Sequence, residues 1–199
     1  MTINGARQVG KSTLADLVVG SRSGAMLRTL DDPLELAAAQ ADPVAFVRHD
    51  GLLCIDEVQR VPELFLAIKA SVDRDTRPGR FLLTGSARVL ALAELPDALV
   101  GRMQAVELWP LSQGEMAGAG DEFVAAAFRH GADLDVESTI SRDDYAERIV
   151  RGGFPEAARR TDPRRRGQFF GAYLSTLLER DIRQLSDVHR IGDLRRLAG

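Results

Sequence analysis

The chain has 199 residues, with 26 basic and 29 acidic side chains and a formal net charge of −3. This length suits one domain of ordinary size with a smaller appendage, and the charge balance excludes a uniformly basic nucleic-acid-binding chain. No apolar run approaches the roughly 18–20 residues that a membrane helix requires. The single cysteine, Cys54, excludes an internal disulfide, so we expect a cytoplasmic globular protein with no membrane partner.

At the N-terminus, the stretch 5–13 contains the phosphate-binding loop pattern G-x-x-x-x-G-K-[ST], which is matched at every required position. Its glycines let backbone N–H groups point at an anion, and the following helix adds the positive end of its dipole. Lys11 is expected to reach the β- and γ-phosphates of ATP, and the Ser12 hydroxyl to ligate Mg²⁺. Arg7 fits a phosphate contact and a solvent-facing position equally well. The predicted nucleotide-binding residues are Gly5, Ala6, Arg7, Gln8, Val9, Gly10, Lys11, Ser12 and Thr13.

The elements around this loop are predicted from apolar spacing and capping residues. Residues 2–4 end the strand that enters the loop, a helix follows as far as Gly20, and residues 25–30 form a second strand. Two short helices are expected to begin after Asp32 and Asp42, because each carboxylate precedes a proline.

The strand that enters the loop is short, since strands usually run about five or six residues. We expect backbone groups of its neighbours to be left unpaired near its start, and each buried orphan group costs about 1–3 kcal/mol. The sequence therefore predicts that Met1 is not the natural edge of the fold and that upstream residues complete this strand.

A second motif follows the apolar run 52–55, which is typical of a strand buried on both faces. Asp56 and Glu57 come directly after it. In phosphate-loop enzymes an aspartate here holds Mg²⁺, and a following glutamate can activate the attacking water. We therefore predict Asp56, with Ser12, as the metal residues and Glu57 as the general base. A surface turn with two acids is the alternative.

Residues 81–86 repeat the pattern of an apolar strand that ends in small polar side chains, after a helix predicted from residue 62 to about 72. Thr84 and Ser86 are candidate γ-phosphate sensors, and capping of the next turn explains them equally well. A helix over 89–100 and a fifth strand over 103–108 follow. Arg102 is a candidate for stabilising transition-state charge, with a surface ion pair as the alternative.

Residues 1–110 thus alternate strand and helix five times, which predicts an α/β fold of the P-loop NTPase type with a five-stranded, mainly parallel sheet. Phosphate sites in such sheets lie at the carboxyl ends of the strands, where all three motifs fall. The agreement of the three motifs in position supports a phosphate site more strongly than any one of them alone.

Residues 111–199 are predicted to form a helical appendage. Residues 114–120 indicate a connector, helices are expected at 121–130 and 143–151, residues 152–155 break the chain, and a long helix follows Asp162. Residues 142–199 hold 13 arginines and 9 acids. Nucleic acid is therefore a candidate partner, although solvated arginine-rich helix faces are favoured.

Taken together, several stretches resemble a family of prokaryotic AAA-type ATPases that pair an ATPase core with a C-terminal domain of unknown function. The stretches are GARQVGKST at 5–13, LDDP at 30–33, IDEVQRVP at 55–62, FLLTGSA at 81–87, GR at 101–102, RGGFPE at 151–156 and LERDI at 178–182. The resemblance implies that Gly10, Lys11 and Ser12 bind phosphate and Mg²⁺, that Asp56 and Glu57 form the acidic pair, and that Ser86 or Thr84 is the sensor. By this pattern the residues before the first strand and the C-terminal domain are missing.

The favoured function is Mg²⁺-dependent ATP binding and hydrolysis that drives a conformational change in the attached helical region. A nucleotide-binding switch or scaffold with little hydrolysis is the alternative, and Glu57 favours the first because a pure binder needs no general base. A small-molecule kinase is a third hypothesis, for which no acceptor pocket is recognisable. The sequence does not name the partner on which the ATPase acts; a protein or a second copy of the chain is the candidate, with nucleic acid less favoured.

Overall fold

The computed structural model describes residues 1–85, 103–120, 122–134 and 139–177. The chain divides into two compact units, Met1–Pro110 and Leu111–Gly199. Four sequence predictions lie outside the described residues: the helix over 89–100, the functional residues Ser86 and Arg102, and the C-terminal part of the last helix. No helix in the described ranges is long and apolar enough to cross a membrane.

The first unit alternates strands and helices along one parallel sheet. Its elements are β1 (Thr2–Gly5), α1 (Lys11–Gly20), β2 (Met26–Thr29), α2 (Pro33–Ala41), α3 (Pro43–Phe46), β3 (Leu53–Asp56), α4 (Glu63–Arg74), β4 (Phe81–Thr84) and β5 (Ala105–Leu108). A single 3₁₀ turn, Val58–Arg60, lies between β3 and α4. The strand order is β2-β3-β4-β1-β5, and each neighbouring pair is parallel. The predicted α/β fold with a five-stranded parallel sheet is confirmed.

Two apolar clusters cover the two faces of this sheet. On one face Leu53, Ile55 and Leu83 pack with side chains of α3 and α4. On the other face Cys54 and Leu82 belong to a cluster that includes Ala15 of α1. Because alternate residues of β3 and β4 point to opposite faces, both strands are buried throughout, as the continuous apolar runs predict.

The short helices α2 and α3 begin where the Asp-Pro pairs predict. Asp32 Oδ1 accepts a hydrogen bond from the Leu34 N–H at 2.7 Å, and Asp42 Oδ1 accepts one from the Ala45 N–H at 2.9 Å. Each proline occupies the first helical position, where a missing N–H costs nothing.

The strand β1 lies inside the sheet, with β4 on one side and β5 on the other. The expected unpaired groups near its start are instead bonded. The Leu83 N–H donates to the Met1 carbonyl oxygen at 2.9 Å, and the Met1 amino group donates to the Phe81 carbonyl oxygen at 3.0 Å. That upstream residues extend this strand stays a prediction.

The second unit is helical over its described residues. It contains α5 (Gln113–Ala117), α6 (Phe123–His130), α7 (Arg142–Arg151), α8 (Pro155–Arg159) and α9 (Pro163–Thr176). The connector predicted over 114–120 is wrong in its first half, because a capping box between Ser112 and Glu115 starts α5 there. Gly118 then ends the helix in the left-handed conformation.

A side-chain truncation on α4 tests the packing of the first unit. Phe65 is 1% exposed, whereas the next residue, Leu66, is 67% exposed. We expect Phe65→Ala to lower the free energy of unfolding by about 3–5 kcal/mol, because the neighbouring side chains cannot close the cavity. Leu66→Ala is the matched control and should change it by less than about 0.5 kcal/mol. Urea denaturation measures both, and equal effects would contradict the described core.

Candidate nucleotide-binding site

The loop between β1 and α1 is shaped by three residues in the left-handed half of backbone space. Gly5 has a φ of 156°, Gly10 a φ of 107° and Gln8 a φ of 60°. A Cβ at Gly5 would lie 2.4 Å from the Leu108 carbonyl oxygen on β5, so only glycine fits between the two strands. Val9, 3% exposed, anchors the loop in the core. The loop is thereby held in a tight turn at the N-terminus of α1.

Lys11, the first residue of α1, is folded back under this loop. It is 6% exposed, and its Nζ donates to the carbonyl oxygens of Gly5 at 3.0 Å and Ala6 at 2.8 Å. Burial lowers the pKa of the Lys11 ammonium, while the carboxylates of Glu57 and, to a smaller extent, Asp56 act in the opposite direction. The partners of both hydrogen bonds are neutral carbonyl groups, so they leave the positive charge of the ammonium unpaired by them. Burial strengthens the attraction of this charge to an anion.

Asp56, at the carboxyl end of β3, accepts hydrogen bonds from three other groups. Its Oδ2 accepts from the Ser12 hydroxyl on α1 at 2.7 Å. Its Oδ1 accepts from the Thr84 hydroxyl at the end of β4 and from the Glu57 N–H at 3.1 Å. The carboxylate is 6% exposed, so these donors replace most of the water that it loses on folding.

Glu57 is placed by an unusual backbone conformation. Its φ of 57° and ψ of 39° are left-handed, and it opens the 3₁₀ turn Val58–Arg60. Val58 is fully buried and fixes this turn in the core. The Glu57 side chain remains half-buried, and its Oε2 accepts a hydrogen bond from Gln59 Nε2.

The oxygen atoms of Ser12 and Asp56 suit Mg²⁺. This ion is usually held by one or two protein oxygens together with substrate phosphates and waters. The described residues contain no group of three or more His, Cys, Asp or Glu side chains arranged for a metal. The predicted pair, a hydroxyl and a carboxylate in direct contact, therefore fits an ion whose other ligands come from nucleotide and water.

Two other features of the first unit do not belong to this site. Burial raises the pKa of the Cys54 thiol to about 12, which leaves almost no thiolate nucleophile at neutral pH. A cavity of about 270 Å³ lies between α4 and the amino end of β4, lined by Met1, Val72 and Phe81 among others. Parallel strands present phosphate sites at their carboxyl ends, so this cavity is at the opposite edge of the sheet.

The structure brings most of the predicted site residues together. Residues 5–13 form the loop and the start of α1, and Asp56, Glu57 and Thr84 lie at the ends of β3 and β4. The Thr84 hydroxyl, for which two roles were open, donates to Asp56. Sequence reasoning missed Gln59; the signal was an amide side chain two residues after the acidic pair.

Comparison with known proteins finds two family matches along the chain. The family described as AAA domain matches residues 1–117, and one described as a domain of unknown function (DUF8612) matches residues 142–198. The chain is similar to Uncharacterized protein Rv2008c of Mycobacterium tuberculosis and Uncharacterized protein Mb2031c of Mycobacterium bovis. Identity is 32% over 185 residues with each, which is 92% of this chain and 36% of the relative. The chain therefore spans about a third of the length of these relatives.

The hydrogen bond between Thr84 and Asp56 can be tested by a change that keeps side-chain shape. Thr84→Val removes a donor from a buried carboxylate, and we expect it to lower the free energy of unfolding by about 1.5–3 kcal/mol. Thr2→Val is the matched control, because Thr2 is 1% exposed on β1 and its hydroxyl has no hydrogen-bond partner among the described residues. That control should be neutral or stabilising. If urea denaturation gave the same loss of unfolding free energy for Thr84→Val and Thr2→Val, the hydrogen bond from Thr84 to Asp56 would contribute nothing to stability.

Proposed function

Since the chain belongs to the family of AAA domains, we propose that its first unit binds ATP with Mg²⁺ and hydrolyses it. The observation that carries this proposal is the meeting of three elements at Asp56, where Ser12 donates at 2.7 Å and Thr84 donates from β4. A buried carboxylate bonded to the hydroxyl at the start of a phosphate-loop helix is the arrangement that a nucleotide-bound magnesium ion requires.

In this proposal the loop and Lys11 bind the triphosphate. Backbone N–H groups of residues 5–13 and the N-terminus of α1 would face the anion, and the Lys11 ammonium would exchange its carbonyl partners for β- and γ-phosphate oxygens. The positive charge that would balance the triphosphate already lies at the loop, since Lys11 Nζ is within 3.0 Å of two loop carbonyl oxygens.

Ser12 and Asp56 would hold Mg²⁺, the Ser12 hydroxyl directly and the Asp56 carboxylate directly or through water. When bound, the ion neutralises charge that develops between the β- and γ-phosphates. Thr84, through its bond to Oδ1, leaves Oδ2 of Asp56 to face Ser12 and the ion. Thr84 thus orients the carboxylate, while Ser86 and Arg102 remain the candidates for the γ-phosphate sensor and the transition-state arginine.

Glu57 is the proposed general base that takes a proton from the attacking water. Its side chain is half-buried directly after β3, and its charge raises the pKa of Lys11, against the larger effect of burial. A carboxylate in this place supports hydrolysis over the alternative of a switch that only binds nucleotide, because binding alone is satisfied by Lys11, Ser12 and Asp56.

The output of the ATPase is proposed to be a nucleotide-dependent change in residues 111–199, which would act on a protein partner or a second copy of the chain in the cytoplasm. The support is the order of the two family matches along one chain, residues 1–117 and 142–198. Nucleic acid is the less favoured partner, since Arg160 and Arg165 of the arginine-rich second unit are paired with Glu156 and Asp162.

Replacing Lys11 tests the binding half of the proposal. We expect Lys11→Ala to weaken binding of a fluorescent ATP analogue by about 100-fold or more, because backbone N–H groups alone do not balance the triphosphate charge. The chain offers one other lysine, Lys69 on α4, and Lys69→Ala is the matched control with unchanged affinity. A Lys11→Ala protein that binds within threefold of wild type would contradict the assignment of the loop.

Replacing Glu57 tests the hydrolysis half. Glu57→Gln removes only the proton acceptor, so we expect the affinity for ATP to stay within threefold while phosphate release falls by about 10²- to 10⁴-fold. Glu63→Gln, an exposed glutamate in the first turn of α4, is the control with normal turnover. If wild type and Glu57→Gln release phosphate equally slowly while binding ATP, the chain is a nucleotide switch.

A further inference from the structure

We propose that Gln59 is a positioning residue that holds the Glu57 carboxylate in the orientation needed to accept a proton from the attacking water. The inference rests on the proposed ATP hydrolysis and adds a residue to it. Its basis is a direct contact, in which Gln59 Nε2 donates a hydrogen bond to Glu57 Oε2. With Oε2 bonded to the amide, Oε1 is the oxygen that takes the proton.

The backbone around this contact is fixed on both sides of Gln59. Val58 is fully buried, and the Arg60 N–H donates to the Glu57 carbonyl oxygen at 3.0 Å, which closes the 3₁₀ turn. Arg60 Nη1 also contacts Asp31 Oδ1 at 2.6 Å, after the end of β2. Because Val58 is held by core packing and a backbone hydrogen bond closes the turn, Gln59 presents its amide from a defined place.

The two ends of the Gln59 amide are in different surroundings, which sets its orientation. The N–H end faces the Glu57 carboxylate, while Oε1 is buried and has no hydrogen-bond partner in the part of the chain that the structure describes. The reversed amide would place a carbonyl oxygen against carboxylate oxygens, which is repulsive. The amide therefore acts on Glu57 as a donor, and the carboxylate has one fixed oxygen.

The contact with Gln59 restrains a carboxylate that directly follows the metal-side residue Asp56 in sequence. Asp56 is the last residue of β3, and Glu57 comes directly after it. The Asp56 carboxylate is bonded to Ser12 and Thr84, so it is committed to the metal side of the site. Gln59 restrains one oxygen of the neighbouring Glu57 carboxylate, and a misplaced base loses much of its effect on rate.

The first test is kinetic and uses the full chain. Gln59→Met keeps side-chain length, removes the donor and removes the unpaired buried oxygen, so the melting temperature should not fall. We expect kcat for phosphate release to drop by about 10- to 100-fold, with the affinity for a fluorescent ATP analogue within threefold of wild type. The matched control is Gln40→Met, an exposed glutamine on α2, which should behave as wild type.

A double-variant cycle separates positioning from a merely structural role. If Gln59 acts through Glu57, adding Gln59→Met to Glu57→Gln should not slow single-turnover hydrolysis further. The same loss in both backgrounds would overturn the inference, because Gln59 would then act independently of Glu57. A Gln59→Met protein with the kcat of an active wild type would overturn it as well, and would leave ATP hydrolysis standing.

A second readout needs no nucleotide. The side-chain amide resonances of Gln59 are identified in a ¹⁵N–¹H spectrum by their loss in Gln59→Met, and Glu57→Gln should shift them because the charged acceptor is removed. Unshifted resonances would overturn the contact itself. Wild-type protein that binds ATP without releasing phosphate would overturn the proposed hydrolysis, and with it the role of Gln59 in catalysis.

Discussion

The first unit depends on the hydrogen bonds of the Asp56 carboxylate, because they join three elements that are far apart in sequence. Ser12 begins α1, Asp56 ends β3 and Thr84 ends β4, and their oxygens lie in one hydrogen-bonded group. Burying a carboxylate is costly unless donors compensate it. The site and the fold therefore constrain each other, since moving any of the three elements would leave a buried charge without its partners.

The strand order explains why a threonine completes this group. In the order β2-β3-β4-β1-β5, β4 lies between the strand that enters the loop and the strand that carries Asp56. The register aligns Ile3 of β1 with Thr84 of β4. The last residue of β4 therefore lies between the phosphate loop and Asp56, where a fully buried hydroxyl can donate to the carboxylate. An apolar residue there would leave that oxygen with one donor fewer.

The sequence predicted those parts of the site that depend on chain order and periodicity. Parallel strands bring their carboxyl ends to one edge, so the loop at 5–13, Asp56 and Thr84 follow from apolar runs and motif spacing. The Gln59 contact could not be predicted in this way, because it depends on the left-handed backbone of Glu57. In the second unit the Ser112 and Glu115 capping box outweighed a glycine- and alanine-rich composition that indicated a connector.

Backbone strain is concentrated at this site for a physical reason. Among the described residues, Gln8 and Glu57 are the non-glycine residues with a positive φ, and such conformations persist only where the surroundings impose them. Each is followed directly by a buried valine, Val9 at 3% exposure and Val58 at 0%. The core thus fixes the residue after each strained one, while Gln8 itself is exposed and Glu57 is half-buried. Strain at the site is in this way a consequence of packing two apolar side chains immediately beside it.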